Sequence, residues 1–285
     1  MITAQTVVLG IIGHPIGHSF SPQIHNYFAR VLRRQVCYAA FNVLPERLGE
    51  AVAGAHSLGI KGLNVTIPHK QTCIDFLSRA DKTARRIAAV NTLVYEHDGY
   101  AGYNTDHIGM YMALKAAGID IRGKSAVIIG AGGTACAACV MAADKGAMEI
   151  TIANRTLEKA ELLADRLKGF FNMPITAVPL SVINDIAHKD IVIQTTSVGM
   201  NYPEDCLIES AGFFRGVSAA LELIYNPWET KFVKMAKLNH VQALNGFSTL
   251  VYQAAASFEL WMGVTLTEGF LKQTAADLES LAKQV

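Results

Sequence analysis

The sequence lacks a long apolar run, although 51% of its 285 residues are hydrophobic and its mean hydropathy is +0.25. A membrane-spanning helix needs roughly 18 consecutive apolar residues, and polar residues or glycines interrupt every apolar stretch earlier than that. The N-terminal stretch MITAQTVVLGIIGHPIG also lacks a basic segment and a cleavage site, so we expect a first strand there rather than a secretory signal. These absences predict a protein without a membrane partner.

The chain is also poor in charge, with 17% charged residues and a net charge of +1. Its largest basic clusters are the short stretches RVLRRQ and KTARR, which suit solvated helix faces, so nucleic acid is not expected as a partner. Five cysteines form no disulfide-like framework, which predicts a reduced, cytoplasmic protein. Cys136 and Cys139 form a CxxC within an alanine-rich helical run, where we expect small buried core residues rather than a redox pair.

The nine histidines lack the spacing of a metal site. His14 and His18 are four residues apart, but the prolines and glycines between them argue against a helical ligand pair, and no Cys/His cluster accompanies them. We therefore expect no metal.

Strand-like and helix-like patterns alternate along the chain, which is typical of an α/β fold with a mostly parallel sheet. The first series ends in an alternating stretch around Asp98-Gly99, which predicts a β-hairpin. A helix from about Asp106 to Ala117 then leads to a second series, which opens at KSAVIIG. The elements expected in the first series lie near residues 7–12, 22–35, 38–43, 46–58, 61–67 and 91–104.

The two series predict two domains. The first is expected to span residues 1–107 and the second residues 108–243. Two long helical stretches, about 248–262 and 265–283, close the chain with no strand after them. We therefore expect residues 244–285 to pack back on the first domain and complete it.

The stretch AVIIGAGGTA, residues 126–135, is typical of a dinucleotide-binding turn. A buried strand precedes its glycines and a helix of small residues follows, so the backbone can approach a pyrophosphate at the helix N-terminus. The predicted cofactor-binding residues of this turn are Gly130, Ala131, Gly132, Gly133, Thr134 and Ala135.

The next strand ends in Asn154-Arg155-Thr156, where an NAD site typically carries Asp or Glu for the ribose 2′-hydroxyl. A guanidinium can pair with a 2′-phosphate, and a hydroxyl or amide can add further bonds, so the triplet favours NADP. In the alternative interpretation Thr156 caps the following helix and Arg155 is only solvated.

Polar residues interrupt the first series at the ends of its expected strands, where ligands bind in parallel sheets. A lysine facing an aspartate provides a proton-transfer pair, and serine, threonine and amide side chains suit a small polyhydroxylated acid. Singly, each has a structural alternative: Ser21 could be a helix N-cap and Lys70 a surface lysine. The groups are HSFS (18–21), NVTIPHK (64–70), Asn91 and NTD (104–106).

A series of motifs closely resembles the shikimate dehydrogenase family, in the family's order and over nearly the whole chain. They are GHPIGHSFSPQIHN (13–26), GLNVTIPHK (62–70), AVNT (89–92), GYNTD (102–106), GAGGTA (130–135), NRT (154–156), TTSVGM (195–200), YNP (225–227) and LVYQAAASFELWMG (250–263).

The resemblance implies a cytoplasmic oxidoreductase of aromatic amino-acid biosynthesis, acting as a monomer or homodimer. Its reaction is the reversible NADP-linked oxidation of shikimate at the 3-hydroxyl to 3-dehydroshikimate. It also implies an N-terminal α/β substrate domain and a Rossmann-type NADP domain, with the C-terminal helices packed on the first.

By the same resemblance, Lys70 and Asp106 are the catalytic pair. The implied substrate-binding residues are Ser19 and Ser21 for the carboxylate, Thr66, Asn91 and Gln253 for the ring hydroxyls, and Tyr225. Beyond the glycine turn, the implied cofactor-binding residues are Asn154, Arg155, Thr156, Thr196, Gly246 and Thr249.

The chain departs from the family pattern at His107, Glu222 and Thr249, where the family usually has glycine, aspartate and methionine. The methionine usually packs near the nicotinamide, so a smaller, polar Thr249 could change ring placement or substrate preference. Two alternatives stay open: a quinate or aminoshikimate dehydrogenase of the same family, and a non-catalytic NADP-binding sensor that kept the fold.

Overall fold

The computed structural model describes residues 2–208 and 210–283. These residues form two compact units, one up to residue 105 together with 251–278, the other within 106–250 together with 279–283. Each unit is built on its own six-stranded sheet. The domain limits expected from the sequence, after residue 107 and before residue 244, stay a prediction.

The elements are numbered in chain order. The strands are β1 (Val7–Gly13), β2 (Val36–Asn42), β3 (Gly62–Val65), β4 (Arg79–Ala80), β5 (Thr92–Glu96), β6 (Gly99–Tyr103), β7 (Ser125–Ile129), β8 (Glu149–Asn154), β9 (Ile175–Pro179), β10 (Ile191–Gln194), β11 (Ala219–Glu222) and β12 (Gln242–Leu244). The helices are α1 (Ser21–Val31), α2 (Leu48–Ser57), α3 (Lys82–Ile87), α4 (Asp106–Ala116), α5 (Gly133–Asp144), α6 (Leu157–Lys168), α7 (Lys231–Leu238), α8 (Phe247–Met262) and α9 (Glu268–Ala282).

The sheet of the first unit is mixed, with the order β2-β1-β3-β5-β6-β4. Strand β1 runs parallel to both β2 and β3, whereas β5 is antiparallel to β3 and β6. The predicted hairpin is therefore present, and it adds two antiparallel strands to a parallel half-sheet. The carboxyl ends of β1 and β3, where polar residues follow in the sequence, lie next to each other at one edge.

Residues 251–278 of the C-terminal helices pack on this unit, as the sequence predicts. The Trp261 indole donates a 2.8 Å hydrogen bond to the carbonyl of Leu93 in β5. A Cβ at Gly62 would lie 2.2 Å from that indole nitrogen, so only glycine leaves room for the ring. The Tyr27 hydroxyl donates to the Asp277 carboxylate and ties α1 to α9.

An aromatic cluster fills the space between α1, β2 and α8. The ring of His25 stacks on Tyr38 with centroids 4.2 Å apart, and Phe28 lies 5.5 Å from Phe258. Complete burial lowers the pKa of His25 to about 3, an effect that the neighbouring Asn64 opposes. His25 is therefore a neutral core residue.

The sheet of the second unit is entirely parallel, with the order β12-β11-β10-β7-β8-β9. Strands β8 and β9 extend the sheet to one side of the central β7, and β10 to β12 extend it to the other. The strand order thus reverses beside β7, which in doubly wound folds is the point where ligands bind. This is the Rossmann-type arrangement expected from the sequence.

The CxxC of this unit lies inside α5, and both cysteines are buried. Burial raises the pKa of the Cys136 and Cys139 thiols, and the Arg166 guanidinium donates a 2.8 Å hydrogen bond to Cys136 Sγ. The prediction that they are core residues is confirmed. Across the described ranges, no helix is both long and apolar enough to cross a bilayer.

Candidate active site

Asn91 is the centre of a buried polar cluster in the first unit. Its amide nitrogen donates to Thr105 Oγ1 at 3.0 Å and to Gln253 Oε1 at 3.2 Å, and its oxygen accepts from the Thr105 backbone N–H at 2.7 Å. Asn91 and Gln253 are 2% and 9% exposed. Two predicted substrate-binding residues, 162 positions apart in the chain, are therefore in direct contact.

The cluster continues away from Asn91 through further buried hydroxyls and an amide. Thr92 Oγ1 donates to Asn91 Oδ1 at 2.9 Å and lies 2.7 Å from Ser257 Oγ. Asn64 donates to Ser257 Oγ at 3.1 Å and accepts from the Tyr38 hydroxyl at 2.7 Å. Interlocked buried hydrogen bonds of this kind fix side chains in one arrangement, so α8 holds Gln253 rigidly against β5.

Lys70 lies in the turn that follows β3. The Val90 N–H donates to the Lys70 carbonyl at 2.8 Å, and the buried His69 ring binds the Val43 carbonyl at 2.8 Å. The preceding Thr66, whose N–H donates to the Ile12 carbonyl at 3.0 Å, links this turn to β1. The Lys70 side chain is half-buried, and its main chain is fixed from both sides.

Asp106 is the first residue of α4 and is 8% exposed. The residues before it are held by the same segment that holds Lys70. The Asn104 amide donates to the Ala89 carbonyl at 3.0 Å, and Asn91 accepts from the N–H of Thr105. The main chains leading to Asp106 and carrying Lys70 are thus bonded to the consecutive residues 89–91.

Ser19 and Ser21 lie after β1, at the start of α1. The helix N-cap is Phe20, so the interpretation of Ser21 as an N-cap is wrong. Ser21 is instead the first helical residue, and its N–H donates to Ser19 Oγ at 3.3 Å. Its hydroxyl is near that of Tyr38, whose pKa burial raises and Ser21 partly lowers. Ser19 Oγ therefore lies beside the main chain of Ser21 at the start of α1.

The glycine turn of the second unit follows β7. Gly130 has φ +117°, and a Cβ there would lie 2.5 Å from Thr195 Oγ1, so both conformation and space require glycine. At Gly132, the N-cap of α5, a Cβ would meet nothing within 4 Å, and no side chain caps the helix. The first N–H groups of α5 are a suitable site for a phosphate.

At the end of β8, Asn154 donates to the Thr156 carbonyl at 2.8 Å and so closes a tight turn. Thr156 occupies the N-cap position of α6, but its hydroxyl makes no capping hydrogen bond. The alternative interpretation placed Thr156 correctly at the N-cap position of α6, but it is wrong that the side chain caps the helix. Arg155 is exposed beside it.

Of the remaining predicted cofactor residues, Thr196 follows β10, Gly246 follows β12 and Thr249 lies in the first turn of α8. The Thr196 N–H donates to Gln194 Oε1 at 2.6 Å, and the Thr196 methyl lies 3.2 Å from the Cβ position of Gly130. A Cβ at Gly246 would lie 2.1 Å from the Leu223 carbonyl oxygen. Thr249 is 6% exposed, and its hydroxyl has no hydrogen-bond partner within the described residues.

Tyr225 is half-buried in the turn after β11. Close to it in sequence lies Glu222, a carboxyl with 0% exposure. Burial raises the pKa of Glu222 to about 7, while hydrogen bonds from Thr230 and Gln194 act in the opposite direction. The residues that the structure describes contain no group of three or more His, Cys, Asp or Glu side chains able to hold a metal ion.

Sequence reasoning missed several members of the cluster around Asn91. Thr92 and Ser257 lie inside the motifs AVNT (89–92) and LVYQAAASFELWMG (250–263) but were not assigned to the site, and Tyr38 is typical of a strand core. Asn64 and Thr105 lie inside recognised polar motifs but were not assigned to the site. Their role depends on a contact between β5 and α8, which no local pattern encodes.

The chain matches two family profiles and close relatives along most of its length. The profile described as "Shikimate dehydrogenase substrate binding domain" matches residues 11–93, and "Shikimate / quinate 5-dehydrogenase" matches residues 112–210. Shikimate dehydrogenase (NADP(+)) of Caldanaerobacter subterraneus subsp. tengcongensis is 42% identical over 95% of this chain and 96% of its own.

Solved structures agree with these matches. A shikimate dehydrogenase in complex with NADP+ is 40% identical, with a TM-score of 0.87 over 97% of both chains. Shikimate 5-dehydrogenase from Listeria monocytogenes, in complex with shikimate and NAD, is 32% identical, with a TM-score of 0.88 over 95% of this chain and 97% of its own. On this similarity, which spans both units, the chain belongs to the shikimate dehydrogenase family.

Proposed function

We propose that this protein interconverts shikimate and 3-dehydroshikimate with NADP as the hydride carrier. The observation that carries the proposal is the common anchoring of Lys70 and of the Asn104–Asp106 segment on residues 89–91, beside the Asn91–Gln253 contact. A proton-transfer pair and a hydroxyl-binding cluster thus share one support. The family relationship supplies the substrate class.

Substrate binding uses groups that match a carboxylate and several hydroxyls. Ser19 and Ser21 donate to the carboxylate, with Tyr225 as a further donor. Thr66, Asn91 and Gln253 exchange hydrogen bonds with the ring hydroxyls, because hydroxyl and amide groups both donate and accept. The buried cluster behind Asn91 fixes its orientation before substrate arrives, which reduces the entropy lost on binding.

The second unit holds the dinucleotide. The N–H groups at Gly132, Gly133 and Thr134 bind the pyrophosphate, with the dipole of α5 favouring its charge. Arg155 pairs with the 2′-phosphate, and the Asn154 and Thr156 side chains add hydrogen bonds. The other residues of the proposed cofactor site are Ala131, Ala135, Thr196, Gly246 and Thr249. Bound NADP supplies the nicotinamide carbon that accepts or donates the hydride.

Proton transfer is the task of Lys70 and Asp106. During oxidation Lys70 takes the proton of the substrate 3-hydroxyl, and during reduction it returns a proton to the forming alkoxide. Asp106 accepts a hydrogen bond from the Lys70 amino group and so orients the lysine toward that hydroxyl. A rigid lysine main chain serves this role, because proton transfer requires the two heavy atoms within hydrogen-bond reach.

The test is to incubate purified protein with shikimate and NADP+ and to follow the absorbance of the reduced nicotinamide. Mass spectrometry of the product identifies a loss of two hydrogens. We expect both signals in proportion to enzyme concentration. A flat absorbance trace with shikimate and also with quinate contradicts the proposal.

Quinate oxidation is the second candidate, since the profile over residues 112–210 names both substrates. Aminoshikimate oxidation and a non-catalytic NADP sensor are further outcomes that the same assay separates. We also propose that the protein acts in the cytoplasm as a monomer or homodimer and does not bind nucleic acid. Light scattering at micromolar concentration distinguishes the two assembly states.

A further inference from the structure

Glu222 is a buried carboxylate at the carboxyl end of β11 that joins two segments of the second unit. Its Oε1 accepts from Gln194 Nε2 at 3.4 Å, and its Oε2 accepts from the Thr230 hydroxyl. Thr230 is the N-cap of α7, since its hydroxyl accepts from the Val233 N–H at 3.4 Å. Glu222 therefore links the end of β10 to the start of α7.

Gln194 connects Glu222 by hydrogen bonds to the turn that follows β10. Its Oε1 accepts from the Thr196 N–H at 2.6 Å, and its Nε2 also donates to the Val198 carbonyl at 3.2 Å. Inside that turn the Val198 N–H donates to Thr196 Oγ1 at 3.3 Å. Gln194 thus holds both ends of a three-residue turn.

The turn lies against the glycine loop. Thr195 Oγ1 donates to the Ile129 carbonyl at 2.7 Å, and the Cβ position of Gly130 lies 2.5 Å from Thr195 Oγ1 and 3.2 Å from the Thr196 methyl. A shift of Thr195 or Thr196 therefore changes the space beside Gly130, where the loop begins.

An ionised carboxylate only accepts hydrogen bonds, so it requires the Gln194 amide to present its NH₂ group. The amide oxygen is then directed at the Thr196 N–H. A neutral amide or a protonated carboxyl at position 222 can also donate, and the orientation of Gln194 is then no longer imposed. The charge of Glu222 therefore determines the orientation of the Gln194 amide, and through it the position of the turn.

We propose that Glu222 is a positioning residue for the cofactor: through Gln194 it fixes the Thr196–Val198 turn and the preceding Thr195 against Gly130, and so sets the affinity for NADP. The inference rests on the proposed function, because it requires the glycine loop to bind a pyrophosphate. It assigns a role to one of the positions at which this chain departs from the family pattern.

The ionisable groups near Glu222 are few. Burial raises its pKa to about 7. Strands β10 and β12 carry no ionisable side chain, while the Cys206 thiol interacts with Glu222 and with the Lys231 ammonium of α7. The other lysines of α7, Lys234 and Lys237, are exposed and pair with Glu204 and Glu229.

The experiment measures the dissociation constant for NADP+ by titration calorimetry between pH 6 and 8.5, for the full-length wild type and for Glu222→Gln. The isosteric change removes the charge and keeps the volume. We expect binding about tenfold weaker at pH 8, which corresponds to about 1.4 kcal/mol. The ratio of the two dissociation constants should shrink as pH falls through about 7, because Glu222 of the wild type then becomes neutral.

Three variants identify the pathway. Glu222→Asp keeps an acceptor-only charge and should retain the wild-type pH dependence. Gln194→Leu should weaken binding, and Glu222→Gln should have no further effect in that background, since coupled residues are non-additive. Ser125→Ala is the control for simple destabilisation, because Ser125 is buried in the same unit but bonds Glu149 and Asp190 at the start of β7.

Unchanged dissociation constants in Glu222→Gln and Gln194→Leu, with a wild type that binds NADP+, overturn the positioning role alone. An equal loss of affinity in Ser125→Ala also overturns it, because the effect is then one of stability. A wild type that does not bind NADP+ overturns the proposed function itself.

Discussion

At the scale of single residues, buried hydrogen bonds hold the side chains that are proposed to act on the substrate. The Lys70 carbonyl and the Thr105 N–H are bonded to Val90 and Asn91, and α8 contributes Gln253 to the same place. The side chains of Lys70 and Asp106, the proposed proton-transfer pair, consequently extend from fixed main chains. Two substitutions test the roles of single residues.

Replacing Lys70 by alanine removes the proposed proton acceptor while leaving the buried cluster intact. General acid–base groups contribute typically about 10²- to 10⁴-fold to rate, so we expect kcat for shikimate oxidation to fall by that range. Cofactor affinity, measured by fluorescence titration, should change little. Lys61→Ala is the matched control, since Lys61 is an exposed lysine of the same unit that stacks on Tyr95. A Lys70→Ala enzyme with near-normal turnover contradicts the role.

The buried Glu222 should make stability depend on pH. Its pKa in the folded protein, about 7, exceeds the ordinary value of 4.5. Its contribution to folding is therefore fully present below about pH 4.5 and is lost as pH rises to about 7. Relative to Glu222→Gln, the wild type should lose roughly 3 kcal/mol over that interval.

Urea unfolding of both proteins, followed from pH 4.5 to 8, measures the difference directly. Parallel stability curves for the two proteins would show that Glu222 keeps an ordinary pKa. The loss at neutral pH is the energetic cost of a buried charge, which function can maintain where stability alone would remove it.

At the scale of elements, sequence periodicity predicted the parallel strands well because their apolar runs are bounded by glycines and polar turns. The glycine loop, the β5–β6 hairpin and the C-terminal helices were all expected. The segment with the turn Thr72–Phe76, β4 and α3 was not. Its elements are two to six residues long, too short to show a helical or strand periodicity. Helix α3 depends on the Asp81 side chain, which caps it by accepting from the N–H groups of Thr83 and Ala84.

The close contact between β3 and α8 predicts that a larger residue at position 62 destabilises the first unit. Gly62→Ala would bring a methyl group to 2.2 Å from the Trp261 indole, which is itself bonded to Leu93. We expect a loss of about 1–3 kcal/mol in the stability of the first unit, as for other overpacked cores. Differential scanning calorimetry measures it.

Gly54→Ala is the control, because Gly54 lies exposed inside α2 with nothing within 4 Å of its Cβ position. That change should stabilise by about 0.5–1 kcal/mol, since alanine favours the helix. Equal effects of the two substitutions would contradict the packing of Trp261 on Gly62.

The turn between β8 and α6 gives the second element-scale prediction. Arg155→Ala should weaken NADP+ binding about 10- to 100-fold, as expected for a lost charge-assisted hydrogen bond, and should leave NAD+ binding almost unchanged. Lys168→Ala removes the same charge at the opposite, C-terminal end of α6, about 18 Å away, and should affect neither. Calorimetric titration of both cofactors decides, and an equal effect on NADP+ and NAD+ would remove Arg155 from the 2′-phosphate site.

At the scale of the whole molecule, the family and the two α/β units follow from motifs that the sequence displays. What the sequence alone did not provide is the buried support of the site: Asn64, Thr92, Thr105 and Ser257 meet only because β3, β5 and α8 come together. The start of α1 also depends on the fold rather than on a local sequence pattern. The local pattern allowed Ser21 to be an N-cap, whereas the fold places it as the first helical residue beside Tyr38.

We predict one order of substrate and cofactor preference for this protein. The most direct measurement is kcat/KM of the purified wild type for shikimate and for quinate, each with NADP+ and with NAD+. We predict the highest value for shikimate with NADP+, at least tenfold above either single replacement, a ratio equivalent to about 1.4 kcal/mol. Absence of shikimate oxidation with either cofactor, or a preference for quinate with NAD+, would contradict the proposed function.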